Sequence, residues 1–236
     1  MTTRPVWQYD EFRQIGTDYA SPEEVAKYDE RMSQLRNITE ECASVLSLLD
    51  LSPESRLLEI GTGTGELAIA AAKQCAKVYA ADISLVMLDY ARNKAESRGV
   101  NNIVFTNAGF LTIEHSGEPF DAIVSQLALH HLPDFWKAVA LRRMWHLLKD
   151  GGRLFLRDVV FSFQADEAEP ILNRWIDGAV KIGGDGVGQD IASHIEKEFS
   201  TLDWIMEGLL RTAGFSIVSV TYQNSRTFAE YVCRKG

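Results

Sequence analysis

The sequence predicts an α/β fold in which a mostly parallel sheet is covered by helices. Short apolar runs alternate with helical segments over most of the chain, and a glycine-rich turn joins the first run to the first helix. The last two apolar runs are separated by only four residues, a connection short enough to require an antiparallel pair. The predicted parallel strands cover 57–60, 77–81, 103–106, 121–125 and 153–158, and the antiparallel pair covers 215–222 and 227–233.

Size and composition predict one domain with a substantial core. The chain has 236 residues, of which 46% are hydrophobic, and a net charge of −9. Such an acidic chain is poorly suited to nucleic acid, and no run approaches the roughly 20 apolar residues of a membrane span. The cysteines lack the spacing of zinc sites, and no signal peptide is evident. We therefore expect a cytoplasmic protein with reduced thiols, no metal site and no membrane or nucleic-acid partner.

Two segments of the predicted domain, which covers 1–236, lie outside the strand and helix alternation. Residues 1–50 are predicted to form a helical cap preceded by an aromatic arm that includes Trp7, Tyr9 and Tyr19. Residues 161–200 are interpreted as an inserted helical lid. Within it a helix over 167–182 is followed by a glycine cluster at 183–188, which we expect to be a flexible break. Ser200 or Thr201 is predicted to cap the last helix.

The most informative stretch is the glycine-rich turn after the first strand. Glu59 lies near the end of that strand, and Gly61, Gly63 and Gly65 alternate in the turn. Glycines let the backbone turn sharply and let a ligand lie against it. A dinucleotide site requires G-x-G-x-x-G, but the third glycine of that spacing is replaced by Glu66, which disfavours a nicotinamide-dependent reductase. An acid before the turn suits a ligand that carries a cationic group.

This acid-x-G-x-G-x-G pattern resembles the first motif of the class I S-adenosylmethionine (SAM)-dependent methyltransferases that act on small molecules. The strand "FDAIVS" followed by an "HHL" turn, and the later turn "LKDGG", are similar to further segments of that family. The resemblance covers roughly residues 22–160 and the final strand pair. It implies a Rossmann-like three-layer sandwich, with a seven-stranded sheet in the order 3-2-1-4-5-7-6 and the last strand antiparallel. It also implies SAM as the cofactor and S-adenosylhomocysteine as the product.

The resemblance also implies which residues bind the cofactor. Asp82 ends the second strand 21 residues after Gly61, where it would hold ribose hydroxyls. Its alternative role is to cap the next helix, for which Ser84 is better placed. Gln126 would flank the methionine part, while Tyr28 is equally well explained as a core tyrosine. The full predicted set is Tyr28, Glu59, Gly61, Thr62, Gly63, Gly65, Asp82, Ile83, Gly109, Phe110 and Gln126.

One position departs from the family pattern. The loop after the third strand usually carries an acid that contacts the adenine amino group, but Ala108 and Gly109 occupy that place here. Backbone groups of Gly109 and Phe110, or the side chain of Asn107, would then have to serve the adenine.

Two histidines after the fourth strand are the predicted catalytic residues. His130 and His131 could remove a proton from an acceptor, because histidine titrates near neutral pH; a structural hydrogen bond in the turn is the alternative. The predicted activity is methyl transfer to an O, N or C atom of a small molecule. A SAM-binding sensor or partner protein without catalytic activity is the alternative function. The sequence leaves the acceptor and the oligomeric state open.

Overall fold

The structure is a computed structural model that describes residues 5–13, residue 25 and residues 37–236. Tyr19 and Tyr28 lie outside these residues, as does most of the predicted helical cap before residue 37. The strands are β1 Arg56–Ile60, β2 Lys77–Asp82, β3 Ile103–Asn107, β4 Phe120–Gln126, β5 Leu148–Phe161, β6 Thr201–Leu202, β7 Phe215–Tyr222 and β8 Phe228–Lys235. The helices are α1 Ile38–Ser47, α2 Glu66–Ala71, α3 Leu85–Ser97, α4 Asp134–Leu147, α5 Ala168–Gly183, α6 Asp185–Lys197 and α7 Asp203–Thr212.

The sheet confirms the predicted fold class and strand order. Its strands run β3-β2-β1-β4-β5-β8-β7, with β1 to β5 parallel and β8 antiparallel to both of its neighbours. The difference from the predicted seven strands is β6, a two-residue strand that pairs in parallel with the end of β5. Strand β5 begins at Leu148, earlier than the predicted start at 153, and extends to Phe161. The longer β5 thus provides the residues against which β6 pairs.

The central strands of the sheet alternate their side chains between two hydrophobic clusters, one on each face. In β1, Leu57 packs with α1 and α2, whereas Leu58 packs on the opposite face with α4 and α7. The same alternation occurs in β4, where Ile123 packs opposite to Val124. This period of two is what a strand buried on both faces requires. The three free cysteines, Cys42, Cys75 and Cys233, are all buried, as small apolar residues would be.

The glycine cluster at 183–188 is not a continuous break in the helix, as the sequence interpretation expected. Only Gly184, with φ of +80°, lies between α5 and α6. A Cβ on Gly183 would collide with Val187, and one on Gly188 would collide with Val180. Two of these glycines therefore allow the two helices to pack closely.

The predicted cap of the last helix is wrong. Helix α7 begins at Asp203 after Leu202, and no side chain caps it. Thr201 instead lies in β6, and the hydroxyl of Ser200 is 2.8 Å from His194 Nε2. Both polar groups therefore face other parts of the chain. Among the described residues, none of the helices has the length and apolar character needed to cross a membrane.

Candidate active site

The glycine-rich turn leaves the carboxyl end of β1 and packs against two neighbouring segments. All three of its glycines have positive φ angles, +79° at Gly61, +52° at Gly63 and +80° at Gly65. The amides of Gly61 and Thr62 donate to the carbonyl of Ala81 in β2, at 2.9 and 3.1 Å. A Cβ on Gly61 would lie 2.5 Å from the Cβ of Ala128. The turn is therefore fixed to β2 on one side and to the segment after β4 on the other.

Gly63 and Asp82 form an open, polar recess at the sheet edge. The Gly63 amide donates to Asp82 Oδ2 at 2.8 Å, and the Ser84 amide donates to Asp82 Oδ1 at 2.9 Å. A Cβ on Gly63 would meet nothing within 4 Å, so there is free space beside this backbone. Each carboxylate oxygen retains acceptor capacity for a further donor. As predicted, it is Ser84 that caps α3, by accepting from the Met87 amide.

Glu59 is the buried acid beside the turn, with only 4% of its surface exposed. The hydroxyl of Thr62 donates to Glu59 Oε2 at 2.7 Å. Burial raises the pKa of Glu59 to about 8, and the nearby charge of Asp82 acts in the same direction. A cationic group placed next to this carboxyl would favour its charged form.

The loop after β3 is supported by an acid from the N-terminal arm. Glu11 is buried, accepts from the Leu111 amide at 2.9 Å, and accepts from the Thr112 hydroxyl at 2.7 Å. Glu11 lies close to Gly109 and Ile83. A Cβ added to Gly109 would lie 2.5 Å from Glu11 Oε2 and 2.9 Å from the side chain of Ile83. Burial raises the pKa of Glu11. A carboxylate is thus present at the loop, although it comes from a distant part of the chain.

The groups predicted to serve adenine in this loop already have partners. The Gly109 amide donates to the Thr112 hydroxyl at 3.0 Å. The side-chain amide of Asn107 donates to the carbonyls of Asp82 and Ile83, and thereby braces the turn after β2. The Phe110 side chain is buried in the core, and its carbonyl accepts from Arg143.

The chain after β4 passes the glycine turn through one strained residue. Gln126 ends β4 and pairs with Arg157 of β5, and Leu127 then adopts a φ of +53°. For a leucine this left-handed conformation costs on the order of 1–3 kcal/mol. It brings Ala128 against Gly61 and begins the 3₁₀ turn Leu129–His131.

His130 lies between two carboxylates. Its Nδ1 atom makes a very short contact with Asp158 Oδ1, and its Nε2 atom is 3.2 Å from Glu198 Oε2. Burial alone would lower the pKa of His130, but the charges of Asp158 and Glu198 outweigh it and raise the pKa to about 9. His130 therefore carries a proton at neutral pH in this arrangement.

His131 differs from its neighbour in exposure and in charge. Its side chain keeps 31% of its surface exposed, and its Nδ1 atom is 3.9 Å from Glu198 Oε2. Desolvation and the adjacent His130 lower the pKa of His131 to about 4. Of the two predicted catalytic histidines, His131 is thus the one that is neutral and partly accessible.

The end of the predicted lid is held over these histidines by several polar contacts. The Phe199 amide donates to the His130 carbonyl at 2.9 Å. The buried Lys137 ammonium donates to the Phe199 carbonyl and to Asp134 Oδ1, and the Thr201 hydroxyl donates to Asp134 Oδ2 at 3.1 Å. On the outer side, Tyr9 of the N-terminal arm donates to the His131 carbonyl at 3.3 Å.

The structure brings the described predicted residues to one edge of the sheet, where β1, β2 and β4 end. Sequence reasoning missed Glu11, Asp158, His194 and Glu198. His194 and Glu198 stand four residues apart at the end of α6, a spacing that places them on one helix face. That spacing was a detectable signal, whereas nothing local connects Glu11 to residue 111.

The amino-acid sequence of this chain is similar to those of methyltransferases. The family described as "Methyltransferase domain" matches residues 57–152. An uncharacterized methyltransferase from Geobacillus thermodenitrificans is 30% identical over 216 residues, which span 92% of each chain.

Solved structures with low sequence identity share the fold. A SAM-dependent methyltransferase from Aquifex aeolicus superposes with a TM-score of 0.63 at 18% identity, over 92% of this chain and 99% of that chain. Magnesium protoporphyrin IX methyltransferase from Synechocystis PCC 6803, solved with bound S-adenosylhomocysteine, gives a TM-score of 0.60 at 19% identity. It covers 84% of this chain and 82% of that one.

Proposed function

Because the chain belongs to the Rossmann-like class I methyltransferases, we propose that it transfers a methyl group from SAM to an O, N or C atom of a small-molecule acceptor. The observation that carries this proposal is the recess formed by Gly63 and Asp82. It combines an open approach to the backbone with a carboxylate at the carboxyl edge of the sheet. Ligands of open α/β sheets bind at this edge.

The residues around the recess fit the parts of SAM. Asp82 retains acceptor capacity for ribose hydroxyls, since each of its oxygens accepts one backbone amide. Glu59 is a buried carboxyl with a raised pKa, which is suited to a cationic methionine amino group because the two opposite charges would stabilise each other. Glu11 supplies a carboxylate beside Gly109 and Ile83, where the family pattern has an acid that this loop lacks.

When bound, SAM supplies a methyl group that is already activated by its sulfonium. The remaining tasks of the chain are to orient the acceptor and to exclude water. Phe199 and Glu198 at the end of segment 161–200, and Tyr9 of the N-terminal arm, contact the histidines at this edge. We propose the segment as a lid and the arm as a wall of the acceptor site. Where the acceptor must lose a proton, His131 can accept it, because that residue is neutral and partly exposed.

The cofactor part of the proposal is tested by calorimetric titration with SAM, S-adenosylhomocysteine and NADH. We expect the first two to bind and NADH not to bind. Asp82→Ala should weaken both by roughly ten- to a hundredfold, because a carboxylate that holds two hydroxyls makes charge-assisted bonds. Asp89→Ala, which removes an exposed aspartate of α3, is the matched control and should retain full affinity. Unchanged affinity in a folded Asp82→Ala protein would contradict this placement of the cofactor.

The acceptor part is tested with SAM that carries a labelled methyl group. The protein is incubated with a cell extract that has been separated into small-molecule and macromolecular fractions. We expect the label in the small-molecule fraction, where mass spectrometry identifies the product. Label found only in macromolecules would contradict a small-molecule acceptor. Binding of SAM without transfer in either fraction would instead favour a non-catalytic binding protein.

A further inference from the structure

A cluster of imidazole and carboxylate groups lies where the segment after β4 meets the end of α6. His130, His131 and Glu198 each offer one ligand atom, and these atoms lie within 4.8 Å of one another. Glu198 Oε2 is 3.2 Å from His130 Nε2 and 3.9 Å from His131 Nδ1. Ligands held at about 2.0–2.2 Å from one ion are separated by about 3–4 Å. The two separations from Glu198 fall within this range, and the separation between the two histidine nitrogens is at most 4.8 Å.

We propose that His130, His131 and Glu198 bind one divalent first-row transition-metal ion. Two histidines and one carboxylate can hold such an ion on one side and leave the remaining coordination positions open. Imidazole favours zinc, iron(II), cobalt(II) or nickel(II), whereas magnesium and calcium prefer oxygen ligands. The set therefore favours the transition metals.

Both ends of the ligand set are oriented by further polar groups. The Nδ1 atom of His130 contacts Asp158, which leaves Nε2 directed towards Glu198. The ion would take the place of the proton between His130 Nε2 and Glu198. On the other side, His194 Nδ1 lies 2.5 Å from Glu198 Oε2, and His194 Nε2 is 2.8 Å from the Ser200 hydroxyl. A carboxylate behind a ligand histidine fixes the orientation and tautomer of the ring, as is usual around protein-bound metals.

The carboxylate oxygens of the cluster are incompletely satisfied without an ion. Within the part of the chain that the structure describes, Glu198 Oε2 and Asp158 Oδ2 are buried and lack a hydrogen bond of acceptable geometry. The Glu198 side chain is only 7% exposed, and that of Asp158 is fully buried. Buried carboxylates are costly unless they are paired or coordinate a cation. A divalent ion next to Glu198 would give its Oε2 atom a partner.

The ion would join two segments that are far apart in the sequence. His130 and His131 follow β4, whereas Glu198 follows α6 at the end of the proposed lid. A nitrogen of His131 that ligates the ion cannot also take up a proton. At the proposed metal site, His131 is therefore a ligand of the ion and does not act as a general base. Because metal binding is measured directly, this inference can fail while the proposed methyl transfer stands, and the reverse is also true.

The test is calorimetric titration of the full chain, after treatment with a chelator, with zinc and separately with cobalt(II). We expect one ion per chain, and visible absorption bands of bound cobalt(II) that differ from those of the hydrated ion. Excess magnesium should not displace the ion. Element analysis after dialysis gives an independent stoichiometry. Absence of saturable binding of either ion to the folded protein would overturn the proposal.

Variants locate the ion. His131→Ala and Glu198→Gln should each weaken binding at least about tenfold, and His194→Ala should weaken it by about 10- to 100-fold through the orientation of Glu198. His146→Ala removes an exposed histidine of α4 and should leave binding unchanged. Thermal unfolding of each metal-free variant checks that the chain is folded. Equal binding by wild type, His131→Ala and Glu198→Gln would place the ion elsewhere and overturn the assignment.

Discussion

The glycine turn and the histidine cluster lie at the same sheet edge, yet they are built in opposite ways. The turn is formed by residues that are close in the sequence, and backbone amides satisfy the carboxylate of Asp82. The cluster is formed by side chains from separate segments, in which His130 lies between Asp158 and Glu198. The first region depends on backbone shape and the second on charge balance. Substitutions should therefore act differently in the two regions.

The largest expected effect is in the histidine cluster. His130→Ala should lower the free energy of unfolding by about 3–5 kcal/mol, because it leaves two buried carboxylates without their positive partner. His131→Ala should cost less than about 1 kcal/mol, since its ring is partly exposed and its Nδ1 atom lies 3.9 Å from Glu198 Oε2. Denaturant unfolding of the metal-free proteins measures both losses. Similar losses for the two variants would show that charge balance does not distinguish these neighbours.

The next largest effect separates two glycines of the turn. Gly61→Ala should destabilise the protein by about 1–3 kcal/mol, because its φ is +79° and its Cβ would press on Ala128. Gly63→Ala has no such collision and should cost only about 1–2 kcal/mol. The Cβ of Gly63→Ala would instead occupy the recess, so we expect this variant to lose more affinity for S-adenosylhomocysteine than Gly61→Ala does. Unfolding curves and calorimetry on both variants test this, and a reversed order would contradict it.

Glu59 should make stability depend on pH in the opposite sense to most acids. Its pKa in the folded protein is about 8, against an ordinary value of 4.5. Between these values the folded state holds a proton that the unfolded state has lost, so this group lowers stability as pH rises. The slope is at most about 1.4 kcal/mol per pH unit. Glu59→Gln should abolish this contribution, whereas Glu96→Gln, at an exposed position of α3, should leave the wild-type slope unchanged.

The same carboxyl should report the arrival of the cofactor. A cationic methionine group beside Glu59 would lower its pKa, so binding of SAM near neutral pH should release a proton. Calorimetry in buffers with different ionisation enthalpies measures that release. We expect less than one proton per chain in the wild type and a clear reduction in Glu59→Gln. Equal release in both proteins would place the cationic group elsewhere.

The smallest effect is expected at the N-terminal arm. Glu11→Ala removes the acceptor of the Leu111 amide and should cost about 1 kcal/mol. Because Glu11 also lies against Gly109 and Ile83, we expect a loss of S-adenosylhomocysteine affinity of less than about tenfold. Glu11→Gln, which keeps one acceptor oxygen, should be intermediate. A variant indistinguishable from wild type in both measurements would exclude the arm from the cofactor site.

The two regions also differ in how far they could be predicted from the sequence. The alternating glycines, Glu59 and Asp82 are recognisable because a parallel strand, a tight turn and the next strand end follow each other along the chain. The five parallel strands and the final antiparallel pair were predictable for the same reason. The cluster was not, because Glu198, which contacts His130, is separated from it in the sequence by α4, β5, α5 and α6. Long-range side-chain contacts of this kind leave no periodic pattern.

The position of Glu11 has a practical consequence for protein engineering. The methyltransferase family matches residues 57–152, so a fragment cut to those limits would lose both Glu11 and Glu198. Such a fragment would contain the glycine turn but neither the acid beside Gly109 nor one wall of the histidine cluster. A bulky fusion joined directly to residue 5 would likewise crowd the arm whose Glu11 contacts the loop after β3. Chimeras should therefore exchange the arm and the loop together.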